Sequence, residues 1–386
     1  MRWNSLDWAT VDWTTADWTT ADWTATDWAA ALEVGRRERL LPLWFVTLRA
    51  AGRLGSVPPA ARDQVQSAYY AALAANTLAL EEAVRLTAQL AARGIDVVTL
   101  KGVALLATVY PARGVRPLGD IDLWVQPADA AQAEAVLCAA GYGGLEHQAV
   151  RGPQRFLAER TFQRRTPPPL QVDLHTAPFA RPALNDAALA AWLWAHRQMA
   201  PTACGALWTF DAAAQFVHLA LHATQHDEGR LAPLRLYDLA QVMADPHLEW
   251  AAVLAIAQTT RIAPALLQAM QATVAAWGVA PPPVAWPEAG ARARLRCTLR
   301  GSERRAVRWL VDGWALRRHP ARMVALWLAV LWPAPAYRAW RARIHGRALS
   351  CELRGARGVE GGSSRAAPGR GARGEEGGSS RAASDG

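Results

Sequence analysis

Asp120 and Asp122 stand two apart in Gly119-Asp120-Ile121-Asp122-Leu123-Trp124-Val125, and Asp173 sits in Gln171-Val172-Asp173-Leu174-His175. Side chains alternate faces along a strand, so Asp120 and Asp122 project together while Ile121 and Leu123 enter a core. Two neighbouring carboxylates repel, and a half-buried pair is costly unless a cation neutralises it. A divalent ion is the natural third party. Asp173, in the same kind of apolar setting, reaches the same face if its strand lies alongside. Three clustered carboxylates suit metal-dependent phosphoryl or nucleotidyl transfer, with Mg²⁺ or Mn²⁺ as the ion. An isolated Asp-x-Asp also occurs at exposed strand ends, so the weight falls on the residues around it.

Those residues include two cations. Lys101, followed by Gly102, stands where a strand meets a helix, a place where backbone N–H groups and the positive helix end favour phosphate. It is the only lysine of the chain, every other basic residue being Arg, and the two side chains are not equivalent at a phosphate site. Arg116, four residues before Asp120, is placed to balance triphosphate charge, its plainer reading being a surface arginine.

Stepping outwards, Pro58-Pro59 opens an Ala- and Leu-rich helix running to about Arg93. Gly94–Leu100 is a β-branched run that reads as a strand, Val103–Tyr110 as a helix halted by Pro111, and Asp120–Val125 as a second strand. A helix over about 128–140 closes at Gly141. Arg155–Arg164 and Leu170–His175 are two more strands. After residue 185 helical pattern dominates, including Asp211–His226 and Tyr237–Met243. The expected organisation is an N-terminal helical segment over 31–93, an α+β core over 94–200 and a helical region over 201–350.

At these residues the sequence resembles the uncharacterised nucleotidyltransferase family of the polymerase-β-like nucleotidyltransferase superfamily. The likeness runs over about residues 60–245. It rests on Leu100-Lys101-Gly102, Arg116, Asp120-Ile121-Asp122-Leu123, Gly141-Tyr142, Val172-Asp173-Leu174-His175, the Phe216–His222 segment and Tyr237-Asp238-Leu239-Ala240. The resemblance implies a small mixed β-sheet flanked by helices. It also implies metal-dependent attack by an unidentified small-molecule, peptide or protein acceptor on the α-phosphate of a nucleoside triphosphate, with release of pyrophosphate. By position, Asp120 and Asp122 would hold both ions, and Asp173 would complete one shell and help deprotonate the acceptor. Lys101, Gly102 and Arg116 would bind nucleotide. The superfamily's usual Gly-Ser or Gly-Gly turn is Gly102-Val103 here, with a longer gap to Asp120, which leaves more of the triphosphate grip to Lys101 and its helix. The competing reading is a catalytically silent nucleotide-binding or interaction protein of the same fold.

His218, His222 and His226 recur every fourth residue, along one side of a helix, with Asp227 adjacent. That spacing suits zinc; hydrogen bonding inside the helical region, or lining of the acceptor pocket, is the preferred reading. His175, two beyond Asp173, shares its strand face and is placed to assist the acceptor or orient a carboxylate.

Composition bounds the rest. The chain has 386 residues, 52% of them hydrophobic, with 42 basic against 33 acidic residues and a net charge of +9. The Arg-rich 292–347 segment interleaves Arg with Trp, as nucleic-acid or anionic-membrane surfaces do. Arg also packs on Trp inside folds, and that reading is placed first, an adaptor surface second. Asp-Trp recurs every five residues from Asp7 to Trp28, matching neither helix nor strand, so 1–30 is expected to be disordered. So is the Gly/Ser/Arg repeat of 351–386. Scattered cysteines, no secretory pattern and no apolar run near the roughly 20 residues that span a bilayer point to a soluble, cytoplasmic protein.

Overall fold

A computed structural model describes residues 27–144, 153–226, 231–281, 283–302, 304–339 and 342. One compact unit ends at Tyr337; a second begins at Arg338 and lies almost wholly outside the described residues. The C-terminal repeats, Asp227 and all but the last Asp-Trp pair also lie outside them. That last pair opens the first helix, α1 (Trp28–Arg37). The Asp27 carboxylate accepts from the Ala29 and Ala30 N–H groups at 3.1 and 3.2 Å, satisfying otherwise orphan donors, and Trp28 is buried.

α2 (Leu41–Ala50) packs against α3 (Pro59–Ala91), a 33-residue helix that starts with proline at its first position. Its far half sends Leu80, Ala83, Leu86 and Leu90 beneath the sheet. Gly94, at φ 73°, reverses the chain into β1 (Val97–Leu100), with Ile95 N–H returning to the Leu90 carbonyl. α4 (Lys101–Thr108) follows without a linker, then β2 (Ile121–Val125) and α5 (Ala130–Ala139). Gly141, at φ 91°, turns α5 into β3 (Tyr142–Gly144) as its position after the helix led one to expect. β4 (Glu159–Arg164) and β5 (Gln171–His175) complete a five-stranded sheet of order β1-β2-β5-β4-β3. It is mixed: β2 and β5 run parallel, and every other neighbour is antiparallel. All five residues of β2 are buried, which its apolar positions Ile121, Leu123, Trp124 and Val125 favour.

Two expectations shift. The strand expected from Arg155 begins at Glu159, after a single tight turn at Pro153–Phe156. Beyond residue 185, α6 (Ala187–Ala195) gives way to a hairpin rather than more helix: β6 (Arg197–Thr202) and β7 (Gly205–Phe210), tied to β1 by the Thr99 hydroxyl on the Trp208 carbonyl at 2.7 Å. Alternation is masked there by alanine and proline, but Trp208 and Phe210 mark the strand.

Helices then dominate: α7 (Ala212–Leu221), α8 (Pro233–Met243), α9 (Trp250–Thr260) and α10 (Ala263–Trp277) share one core, and α11 (Ala291–Arg300), α12 (Arg305–Ala315) and α13 (Pro320–Leu331) follow. Arg181 fastens α11 and α12 to the rest. Its guanidinium donates to Asp312 at 3.0 Å and to the Gln225 and Arg300 carbonyls, while Asp312 also accepts from Ala183 N–H. Breaking such a buried pair by removing one partner costs about 3–5 kcal/mol.

Candidate active site

Strand register assembles the carboxylates. Asp122 of β2 lies directly beside Asp173 of the parallel strand β5, and Asp120 precedes β2 by one residue. One ligand oxygen from each of Asp120, Asp122 and Asp173 lies within 4.8 Å of the others. Asp122 and Asp173 are buried and Asp120 is half-buried. Such an all-oxygen set suits Mg²⁺ or Mn²⁺.

Charge crowding is visible in the group's protonation. Burial, then Glu159, Asp122 and Asp120, push the Asp173 carboxyl up to about 7. Burial and the Asp122 charge raise Asp120 as well. Asp122 goes the other way. Burial alone would raise it, but the Lys101 ammonium and a His175 hydrogen bond outweigh burial and hold it well below the usual carboxylate range. Negative charge in excess of its cations is what a divalent ion would relieve, so the three side chains fit one.

Lys101 meets the carboxylates directly. Its backbone takes φ 50°, a left-handed conformation that costs a side-chain-bearing residue about 1–2 kcal/mol. The sharp strand-to-helix turn this makes aims Nζ at Asp122 Oδ1, 2.7 Å away. His175 reaches the same oxygen through Nε2 at 2.9 Å, and Glu159 stands 3.6 Å from that nitrogen. His175 is almost fully buried, with its Nε2 on Asp122.

A cleft of about 690 Å³ opens over Asp120 and Asp122. Its walls carry six cations (Arg37, Arg39, Lys101, Arg116, Arg235 and Arg308) against four acids, Glu38, Asp120, Asp122 and Asp238, so it suits a polyanion. Arg116 lines it. Its Nε donates to both oxygens of Asp238 at 2.9 and 3.0 Å, and the Tyr110 hydroxyl donates to one of them at 2.6 Å. A side chain at Gly102 would overlap Leu118 and the Arg116 guanidinium, so glycine is what lets that cation lie over the start of α4. Fully buried Asn76, on α3, clamps the intervening loop: its amide donates to the Arg113 and Arg116 carbonyls and its oxygen accepts from Leu118 N–H.

The histidine row separates. His218 Nε2 meets the Pro178 carbonyl at 2.9 Å, and its ring stacks on Phe179; burial pushes its pKa down to about 3. His222 lines the cleft, with Nδ1 3.3 Å from an Arg235 nitrogen. The helix widens to a π turn from His222 onwards, and the His218 and His222 ring centroids lie 6.3 Å apart, tilted. Among the described residues the three carboxylates are the group able to hold an ion.

Arg39, Arg235, Arg308, Asn76 and Glu159 carry no motif of their own in the sequence, whereas Asp238 stands in the Tyr237-Asp238-Leu239-Ala240 segment of the family likeness.

An α+β fold whose mixed sheet converges three carboxylates beneath a cationic cleft defines a protein of nucleotidyltransferase type. The chain belongs to the family described as uncharacterised nucleotidyltransferase, which it matches over residues 24–278, well over half its length. The match takes in α1, α2, α9 and α10 as well as the elements between. Among solved structures it is similar to an antigenic nucleotidyltransferase-like protein from Paracoccidioides brasiliensis, at 15% identity and a TM-score of 0.33, covering 49% of this chain and 92% of that one. No curated protein matches it.

Proposed function

We propose that this chain is a metal-dependent nucleotidyltransferase that moves a nucleoside monophosphate from a nucleoside triphosphate to an unidentified small-molecule, peptide or protein acceptor. The observation that carries the reading is the convergence of Asp120, Asp122 and Asp173 within 4.8 Å, the first two lining a cleft richer in cations than in acids. Asp120, Asp122 and Asp173 would hold Mg²⁺ or Mn²⁺, which when bound supplies charge stabilisation at the phosphates. Everything else is done by the chain. Gly102 and the start of α4 admit the triphosphate, and Arg116, locked by Asp238, faces it with a fixed guanidinium. Arg39, Arg235 and Arg308 extend positive charge along the cleft, beyond the reach of Lys101. His175 and Lys101 keep Asp122 ionised and oriented. Asp173 would help deprotonate the acceptor. The cytoplasm is the compartment that fits, and no helix among the described residues is long and apolar enough to cross a membrane.

The test is incorporation. The full chain is incubated with each α-labelled triphosphate and Mg²⁺ or Mn²⁺, alone and with cell extract, beside Asp120→Asn. Label moving to an acceptor with wild type but not with the variant supports the reading. Equal labelling by both, or none by wild type with any triphosphate, overturns it.

A further inference from the structure

Residues 291–337 lie beyond the family match and carry ten arginines against only Glu303 and Asp312, a surplus of eight out of the chain's net nine. The excess positive charge of the molecule is therefore a property of this segment. Asp312 offsets none of it outwardly, being buried against Arg181. The same segment holds eight of the twelve exposed large apolar side chains among the described residues. On α12 these are Leu310 and Trp314, one turn apart; on α13 they are Val324, Leu328 and Leu331, a single stripe at helical spacing, with Trp332 just past its end. Leu328, Leu331 and Trp332 are 57, 75 and 84% exposed, and Trp314 is 61% exposed, so packing explains none of the four. Trp309 and Trp327, by contrast, are half-buried: Trp327 lies over Gly313, where any Cβ would collide with its indole, and this close approach joins α12 to α13.

We infer that α12 and α13 dock the protein onto an anionic lipid bilayer, with the Leu and Trp stripes entering the headgroup–acyl boundary and Arg317, Arg318 and Arg322 meeting acidic headgroups. Arg317 and Arg318 lie in the turn between the two helices and Arg322 in the first turn of α13, all three exposed. Apolar stripes that include Trp, flanked by arginine, are the composition of helices that lie in a membrane interface. Charge complementarity selects this occupant. A second copy would bring a surplus of eight positive charges against another eight. Nucleic acid would use the arginines and Trp rings but leave Leu310, Leu328 and Leu331 without a partner, since aliphatic side chains do not stack on bases. An acidic leaflet satisfies both parts of the surface at once. The inference stands apart from the transfer reaction, since these side chains line no part of the cleft.

The experiment is flotation of the full chain with vesicles of phosphatidylcholine alone and of phosphatidylcholine containing one part in four phosphatidylglycerol. Expected are partition onto the anionic vesicles at least tenfold stronger than onto the neutral ones and a loss of at least tenfold in both Leu331→Ser/Trp332→Ser and Arg317→Gln/Arg318→Gln/Arg322→Gln. Circular dichroism melting and nucleotide incorporation should be unchanged in both. Absence of partition by wild type, undiminished partition of the Leu331→Ser/Trp332→Ser variant, or a wild-type dimer that this variant converts to monomer would each overturn the inference. So would wild-type binding to single-stranded RNA that exceeds vesicle binding and depends on the arginines alone.

Discussion

The carboxylates of the sheet and the histidines of α7 look alike as sequence: each is a short series of ligand-type side chains at the period of its own secondary structure. The fold treats them in opposite ways. Asp122 and Asp173 are 51 positions apart in the chain, yet parallel pairing sets them side by side. His218 and His222 are four apart, yet one ring turns to the Pro178 carbonyl and the other to the cleft and Arg235. Strand register is rigid because a slip of one residue would put every buried side chain on the wrong face. Helical spacing only proposes a common face, whose members packing is free to give different partners.

Substitutions break or sharpen this contrast. The largest effect belongs to the carboxylates. Asp120→Asn should lower nucleotide incorporation about 10³-fold or more, the several kcal/mol that charge stabilisation by a bound cation is worth, with the unfolding midpoint unchanged. Asp122→Asn should lose as much activity and also about 3–5 kcal/mol of stability in urea titration, because it strands Lys101 in a buried place. If both variants melted alike, the pairing of Lys101 with Asp122 would not be what holds that turn.

Asp238→Asn should follow. Releasing Arg116 is expected to raise the triphosphate KM about tenfold, the ~1.4 kcal/mol of one charge-assisted bond weakened, while kcat changes less. A fall in kcat with unchanged KM would put Arg116 at the reacting phosphate instead.

His218→Phe should leave incorporation within about threefold of wild type while costing about 1–3 kcal/mol of stability for the unpaired Pro178 carbonyl. The pH dependence has a definite sign. Folded His218 stays neutral down to about 3 against an ordinary 6.5, so as pH falls below about 6.5 the unfolded chain takes up a proton that the folded chain refuses. Stability therefore drops through that window, and the melting temperature of the variant should fall less than that of wild type between about pH 7 and pH 5. Loss of incorporation on the scale of Asp120→Asn would erase the contrast between the two clusters.

The smallest effect is Tyr110→Phe, about 1 kcal/mol by denaturant titration, because Asp238 keeps Arg116 when the phenol hydroxyl goes.

What the residues alone determined is the local architecture and the chemistry it carries. β-branched runs, the glycines after α3 and α5 and the prolines at helix starts set β1, β2, β5 and the helices between them. The alternation in Asp120-Ile121-Asp122 was enough to put two carboxylates on one face. Those features depend on near neighbours, whose sterics and polarity are written in a few consecutive letters. Only the tertiary structure decided that Lys101 pairs with Asp122, that Asp238 anchors Arg116 from 122 residues away, and that 197–210 is a hairpin. It also decided that the tryptophans of α12 and α13 divide into half-buried Trp309 and Trp327 and exposed Trp314 and Trp332. Each of these depends on which distant surface fills the space beside a side chain, and that is set by packing across the whole chain.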